Sequence, residues 1–360
     1  MADKLLKTDA KMTFGADPEI FLLSNGQIVG SERAIPEGGV ATHEFYSHST
    51  GVAKLVRDGV QVELHLPPTN CREWLSLEIM TTFQRLKGHL ANMAANDKLF
   101  EVSFTQVVEV SPEELKSLTP LSRRLGCQPS FNWYSPAATI GVNPDTYTKR
   151  SAGGHLHFGL PSHLMPYREK LAPISDVLIG NTSVLIDRDP NAAERRRVYG
   201  RAGEFRTPRH GFEYRTLSNY WLRSKELVGL VTGLMRLAVF VLDTSVDEKD
   251  GWPADEALME LVNLRDVEKA INENNLELAK ANFEAVKVFL HRHLPKSPTK
   301  TYQEVSLDGE KLASFDTFVR GIDEGGIERW FPEAPFTHWQ HCVWLEGWEK
   351  FLKRVAAGGR

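Results

Sequence analysis

"GGHLHFG", residues 153–159, is the stretch whose reading decides the fold. Alternate residues of a β-strand share a face, so His155 and His157 project to one side while Leu156 and Phe158 project to the other. Gly153 and Gly154 carry no Cβ and admit close approach of a ligand or of another backbone. The stretch is either a half-buried strand with solvated histidines or one wall of a ligand site.

Three further segments repeat the pattern. "GADPEIF" (15–21) sets Asp17 and Glu19 on one face. "VQVELHL" (60–66) alternates Val60, Val62, Leu64 and Leu66 against Gln61, Glu63 and His65. "FEYRTL" (212–217) sets Glu213 and Arg215 against Phe212, Tyr214 and Thr216. A single strand of this kind ordinarily turns its polar side to water. Four whose polar sides carry carboxylate, imidazole and guanidinium predict a charged floor on one sheet. Carboxylates with an imidazole suit hard or borderline cations such as Mg²⁺ or Mn²⁺, and not a structural zinc site, which favours thiolate. Pro18 cannot donate to a ladder, so its segment is predicted at an edge or a bulge.

"ERRRVYGRAGEFRTPRHGFEYR" (194–215) adds Arg195, Arg196, Arg197, Arg201, Arg206, Arg209 and Arg215 without a lysine. The fixed donor fork of arginine matches phosphate and carboxylate oxygens, which an ammonium cannot do. The run predicts phosphate handling beside the metal, against the alternative of a solvated or nucleic-acid-facing basic surface.

The remaining chain narrows the class. Its 360 residues, 41% hydrophobic and 25% charged, have the composition of a soluble globular protein. A net charge of -4 argues against a general polyanion binder, so nucleic acid is not an expected partner. The first twenty residues show no secretory signal. "LVGLVTGLMRLAVFVL" (227–242) is interrupted by Arg236 and is shorter than the ~20 residues of a span, so it predicts a buried helix and no membrane. Cys71, Cys127 and Cys342 form no CxxC pair and read as reduced thiols of a cytoplasmic protein. P-loop, GxGxxG and GxSxG motifs are missing. "HRH" (291–293) falls on a predicted helix, where i and i+2 diverge and do not share a metal, "HWQHC" (338–342) reads as surface or core packing, and Glu44 in the loop 37–51 is a candidate proton acceptor.

Turn and periodicity signals predict a hairpin at Asn25-Gly26, a helix from about 72 to 97, strand over 99–110 and a capped turn at "SPEEL" (111–115). Helix follows over 168–186, 225–243, 254–274, 276–292, 311–322 and 342–355. The class is α+β. The expected organisation is a tail (1–11), a catalytic core (12–245) and a helical C-terminal region (246–360) packed on that core as one domain.

Taken together, "FGADPEIF", "DGVQVELHLPP", "GGHLHFG" and "RRRVYGRAGEFRTPRHGFEYRTLSNYW" resemble the phage-type carboxylate–amine ligases, COOH–NH2 ligase type 2, an amidoligase family grouped with glutamine synthetase and glutamate–cysteine ligase. The resemblance runs in motif order from about residue 12 to 225. It implies a glutamine synthetase-like antiparallel sheet, ATP, and two or more Mg²⁺ (or Mn²⁺) ions joining the phosphates to Asp17, Glu19, Glu63, His155 and Glu213. Arg215 would hold the γ-phosphate and, with Arg206 and Glu213, form the catalytic set. Arg197, Arg201 and Arg206 would neutralise phosphate or a substrate carboxylate. Family position favours His155 as the imidazole ligand and leaves His157 to substrate or structure. The first strand reads Asp-Pro-Glu where glutamine synthetase has Glu-x-Glu.

The implied reaction is amide formation through an acyl phosphate, between a small-molecule or peptide carboxylate and an amine. It would run in the cytoplasm, the host's if the chain is phage-encoded, and a homo-oligomer is compatible with it. Two other functions remain open at this point. One is a phosphotransferase resembling guanidino kinases; the other is a non-catalytic nucleotide-binding phage protein of the same fold.

Overall fold

The computed structural model describes residues 12–41, 53–70, 72–95, 99–123, 130–135, 146–187, 189–246, 254–293 and 330–341, together with 125, 142 and 143. The three cysteines, Glu44, the tail 1–11 and the expected helices at 311–322 and 342–355 lie outside the described residues.

Alternation along the strands produces a sheet with one apolar face. Its strands are β1 (Thr13–Ala16), β2 (Glu19–Ser24), β3 (Gln27–Val29), β4 (Val40–Ala41), β5 (Lys54–Asp58), β6 (Gln61–Thr69), β7 (Glu101–Ser103), β9 (Phe131–Asn132), β11 (Leu156–Gly159), β12 (Glu204–Arg206) and β13 (Gly211–Tyr214). The central order is β3-β2-β6-β1-β11-β13-β12-β9, with every pairing antiparallel. β4 and β5 extend the sheet beside β6, and β7 pairs with β2. The short strands β8 (Val107–Glu109) and β10 (Lys149–Ser151) form a separate pair. The four segments singled out in the sequence therefore lie side by side at the centre.

Pro18 shapes that centre. β1 and β2 are one strand broken at Asp17-Pro18, and both halves pair with β6, Ala16 opposite Leu66 and Glu19 opposite Glu63. The break leaves Asp17 between the halves. The Pro18 carbonyl still accepts from the Leu64 amide at 2.9 Å, so only the donor that proline lacks is lost. Asn25 (φ 51°) and Gly26 (φ 74°) make the two-residue turn from β2 to β3, with both central residues left-handed as such a hairpin requires.

The apolar face of the sheet, with Phe14, Val62, Leu64, Leu156, Phe158 and Phe212, joins one large core. Helix α1 (Arg72–Ala94) packs on β6 there. After the capped α2 (Pro112–Ser117) and the short α3 (Pro120–Arg123), the chain passes through β9, β10 and β11 into α4 (Leu171–Ser175). A π-helical stretch, Asp176–Gly180, links it to α5 (Asn181–Ile186), so the helix expected over 168–186 forms with a widened middle. Helix α6 (Ala192–Val198) precedes β12.

Helix α7 (Lys225–Val246) is the long apolar stretch. It is long and apolar enough to cross a membrane, but 83% of its apolar window is buried inside the protein, against α1, α4 and the next helix. The stretch expected as one helix over 254–274 is two, α8 (Ala254–Glu260) and α9 (Leu264–Asn272), because the Asn263 side chain accepts from the Arg265 amide and starts a new helix. α10 (Leu276–His293) packs on α5 and α9. In α11 (Pro335–His341), Trp339 is buried and donates to the Leu222 carbonyl at 2.6 Å, so the tryptophan of "HWQHC" serves packing.

Candidate active site

The glycine pair that opens the histidine strand is explained by packing. A Cβ on Gly153 would stand 2.6 Å from Nε2 of His155, so the missing side chain makes room for that ring. A Cβ on Gly154 would stand 2.2 Å from the Ser218 carbonyl oxygen, a backbone that cannot yield. Of the two approaches expected there, it is that of another backbone that is seen. The Gly153 amide also donates to Glu19 Oε2 at 2.7 Å, which fixes one carboxylate of the site.

Strand register builds the rest. Across the sheet, Gly15, His157, Glu213 and Arg206 are ladder neighbours in turn. Asp17, in the break of the first strand, reaches both histidines, with Oδ1 3.2 Å from His155 Nδ1 and Oδ2 3.2 Å from His157 Nε2. Asp17, His157 and Glu213 each offer a ligand atom within 4.8 Å of the others. Glu19, Asp58 and Glu63 form a second such group. Asp58 ends β5 and is carried there by the tight turn at Gly59 (φ 60°) into β6.

Burial and like charge strain the second group. Burial, then Asp58 and Glu63, push the Glu19 carboxyl well above its ordinary range. Burial, then Asp17 and Asp58, raise Glu63 to about 9. Burial and Asp17 raise Asp58 to about 6. Asp17 goes the other way: burial raises it, but His157 and His155 outweigh burial and hold it well below the usual carboxylate range. His157 is correspondingly raised against its burial by Asp17, whereas burial lowers His155.

The two histidines divide their work. His155 is buried, and its Nε2 meets the Tyr199 hydroxyl, so both ring nitrogens are engaged by protein groups. The same hydroxyl accepts from Arg215 Nη2 at 3.0 Å. Arg215 is fully buried, donates to Ser130 Oγ at 2.7 Å and lies with Nε 3.2 Å from Glu213 Oε1. His157 presents Nε2 to the carboxylates and Nδ1 to Nε2 of His210 at 3.2 Å. Family position favoured His155 as the ligand; the grouping of donor atoms brings forward His157.

The arginine run splits by role. Arg206 lies 3.6 Å from Glu213 Oε1 and Arg215 lies beside it, so these two face the carboxylates. Arg195 is buried and donates to the carbonyls of Ala152, Thr216 and Leu217 at 3.1, 2.8 and 2.7 Å, tying the loop before the histidine strand to the end of β13. Arg196 is buried against Asn274 and Ser183. Arg197 is exposed and pairs with Glu194 at 3.0 Å, a carboxylate that also meets Lys149 of β10 at 2.8 Å. Arg201 is half-buried and gives its carbonyl to Thr216 Oγ1 at 2.9 Å.

Asp58, Tyr199, Ser130 and His210 are the neighbours that sequence reasoning missed. Asp58-Gly59 carried a signal, since that pair marks a tight turn and a turn returns its first residue to the sheet. Tyr199 was visible only as an aromatic within the arginine run.

The donor set fits divalent cations. Five carboxylates and an imidazole converge, and among them Asp17 Oδ1 and the buried Glu213 Oε1 sit in ion pairs but accept no well-formed hydrogen bond. Carboxylate oxygens with an imidazole are the donors that hard and borderline divalent cations take.

Comparison of the whole chain with curated proteins gives no match. Residues 140–249, which cover the histidine strand, the arginine-rich hairpin and the long apolar helix, match the family described as Phage phiEco32-like COOH.NH2 ligase-type 2.

Proposed function

We propose that the protein is an ATP-dependent carboxylate–amine ligase that forms an amide through an acyl phosphate. The observation that carries this reading is the convergence of Asp17, Glu19, Asp58, Glu63, His157 and Glu213 beside Arg206 and Arg215 on one sheet. A carboxylate is a poor electrophile. Transfer of the γ-phosphoryl group to its oxygen releases ADP and makes a good leaving group, which the amine then displaces as phosphate.

Divalent cations, when bound by these carboxylates and His157, supply charge neutralisation for the phosphates. Arg215, rigid between Glu213, Ser130 and Tyr199, would present its guanidinium to the transferring phosphoryl group without reorganising. Arg206, less buried than Arg215, would neutralise either that group or the substrate carboxylate. Tyr199 and His155 hold Arg215 and Asp17 in register. The substrates are a small-molecule or peptide carboxylate and an amine.

The test is product analysis. Purified protein with ATP, Mg²⁺ and pools of carboxylates and amines should release ADP only when both partners are present, and mass spectrometry should find an amide. Glu213→Gln should abolish this while leaving the unfolding transition in place. A phosphorylated acceptor without amide would make the protein a phosphotransferase instead, and no ADP release with any pool would count against catalysis altogether.

A further inference from the structure

Asn272 lies in α9, outside the residues 140–249 that match the family, yet its side chain reaches the arginine run. Its Oδ1 accepts from the Ala202 amide at 2.9 Å. We propose that Asn272 is a positioning residue: it holds the loop 199–203 and, through Tyr199, the guanidinium of Arg215. Its effect on turnover rests on the ligase reading; its hold on the loop does not.

The loop is pinned along its length. Glu204 Oε2 accepts from the Gly200 amide at 3.1 Å, and Thr216 Oγ1 donates to the Arg201 carbonyl at 2.9 Å. Asn132 Nδ2 donates to the Ala202 carbonyl at 2.8 Å, and the Trp133 amide to the Gly203 carbonyl at 2.9 Å. Gly200 (φ 72°) and Gly203 (φ 73°) are left-handed on either side of Arg201 and Ala202, a path that side chains rarely follow. Ala202 is buried, and a buried amide without an acceptor is costly, so loss of the Asn272 oxygen loosens the middle of the loop. The helix end aims that oxygen. Asn274 is left-handed (φ 52°), and the amides of Asn274 and Asn275 bond back to the carbonyls of Ile271 and Ala270 at 3.2 and 2.9 Å, which fixes the last turn of α9. From the same corner Asn274 Oδ1 accepts from Arg196 Nη1 at 2.9 Å. Tyr199 opens the loop, and its hydroxyl meets His155 and accepts from Arg215 Nη2 at 3.0 Å. A shift at Ala202 therefore reaches Arg215 through three residues of backbone and one hydroxyl.

The experiment compares three variants of the full-length protein. Asn272→Ala removes the acceptor, and Asn272→Asp keeps one in the same place. Asn274→Gly keeps the left-handed turn and removes the bond to Arg196 instead, so it shows what loosening the corner does to stability alone. With ATP, Mg²⁺ and saturating carboxylate and amine, turnover of Asn272→Ala should fall about 10-fold per folded molecule. Asn272→Asp should recover most of it, and Asn274→Gly should stay near wild type, with the folded fraction taken from thermal melts. Hydrogen exchange followed by mass spectrometry should quicken in peptides covering 199–203 of Asn272→Ala, and not in those covering 211–217.

If Asn272→Ala does not fold, Asn272→Gln, which moves the acceptor by one methylene, takes its place in both measurements. Unchanged exchange over 199–203 overturns the proposal, as does an Asn272→Ala turnover equal to that of Asn274→Gly. An Asn272→Asp variant as slow as Asn272→Ala does the same. Each of these results leaves the ligase reading standing. A wild type without turnover overturns the ligase reading and the effect on turnover, and exchange over 199–203 then decides whether Asn272 holds the loop.

Discussion

Glu19 and Glu63 stand directly opposite each other across the β2–β6 ladder. Like charges in that relation destabilise a sheet, and here both are buried or nearly so. A carboxyl whose folded pKa is raised binds more protons folded than unfolded, so its cost to stability appears as pH rises above the ordinary value. For Glu63 the window runs from 4.5 to about 9, and for Asp58 from 3.8 to about 6. Asp17 is depressed, and its contribution is lost only as pH falls below 3.8, outside this window. The metal-free protein should therefore lose stability between pH 5 and 9. Glu63→Gln should reduce that loss, with a higher melting temperature than wild type at pH 8 in EDTA and a smaller difference at pH 5. Equal pH slopes for the two proteins would contradict the account.

Addition of Mg²⁺ should restore what like charge removes. The rise in melting temperature should be larger at pH 8 than at pH 5, because protons compete for the same oxygens. In Glu63→Gln the Mg²⁺-dependent rise should shrink. A cation effect of the same size at both pH values would point to binding elsewhere.

Tyr199 joins His155 to Arg215 through one hydroxyl. Tyr199→Phe keeps the ring under the guanidinium groups of Arg195 and Arg215 and removes that link. In the proposed ligase reaction, turnover should fall about 10- to 100-fold, as for other groups that orient a metal or phosphate site. The melting temperature should change little. Full turnover would show that the link is ornamental.

The arginines give an internal contrast. Arg215→Lys loses the bonds to Ser130 and Tyr199 and should lower turnover about 100- to 1,000-fold. Arg197→Ala, on an exposed pair with Glu194, should be within about 0.5 kcal/mol of wild type in stability and active. Arg195→Ala removes the side-chain donor to three carbonyls, of which that of Leu217 keeps the Gly154 amide, and should fail chiefly in folding. Activity assays paired with thermal melts separate the three.

The glycine pair separates in the same way. Gly154→Ala meets the Ser218 carbonyl, and should cost about 3 kcal/mol by overpacking. Gly153→Ala meets the His155 ring, which Asp17 and Tyr199 hold at both nitrogens, so displacing that ring should cost activity as well as stability. Urea unfolding and turnover of both variants decide this.

Alternation was enough to find the strands and their polar face. "GGHLHFG" and "VQVELHL" each carry a period of two, and a residue's side of a strand follows from parity alone, so Glu63, His157 and Glu213 were legible in the sequence as one face. Pro18 announced the break that frees Asp17, since the missing N–H is a local property. The caps at Ser111 and the turn at Asn25-Gly26 were legible for the same reason.

What parity could not supply is which strands lie next to which. The pairing of β6 with both halves of the broken first strand decides that Glu19 confronts Glu63, and the β5–β6 hairpin decides that Asp58 joins them. Arginine composition likewise left Arg195 and Arg215 indistinguishable, although one clamps backbone carbonyls and the other faces a carboxylate. Those assignments depend on groups distant along the chain, and only the folded sheet sets their distances.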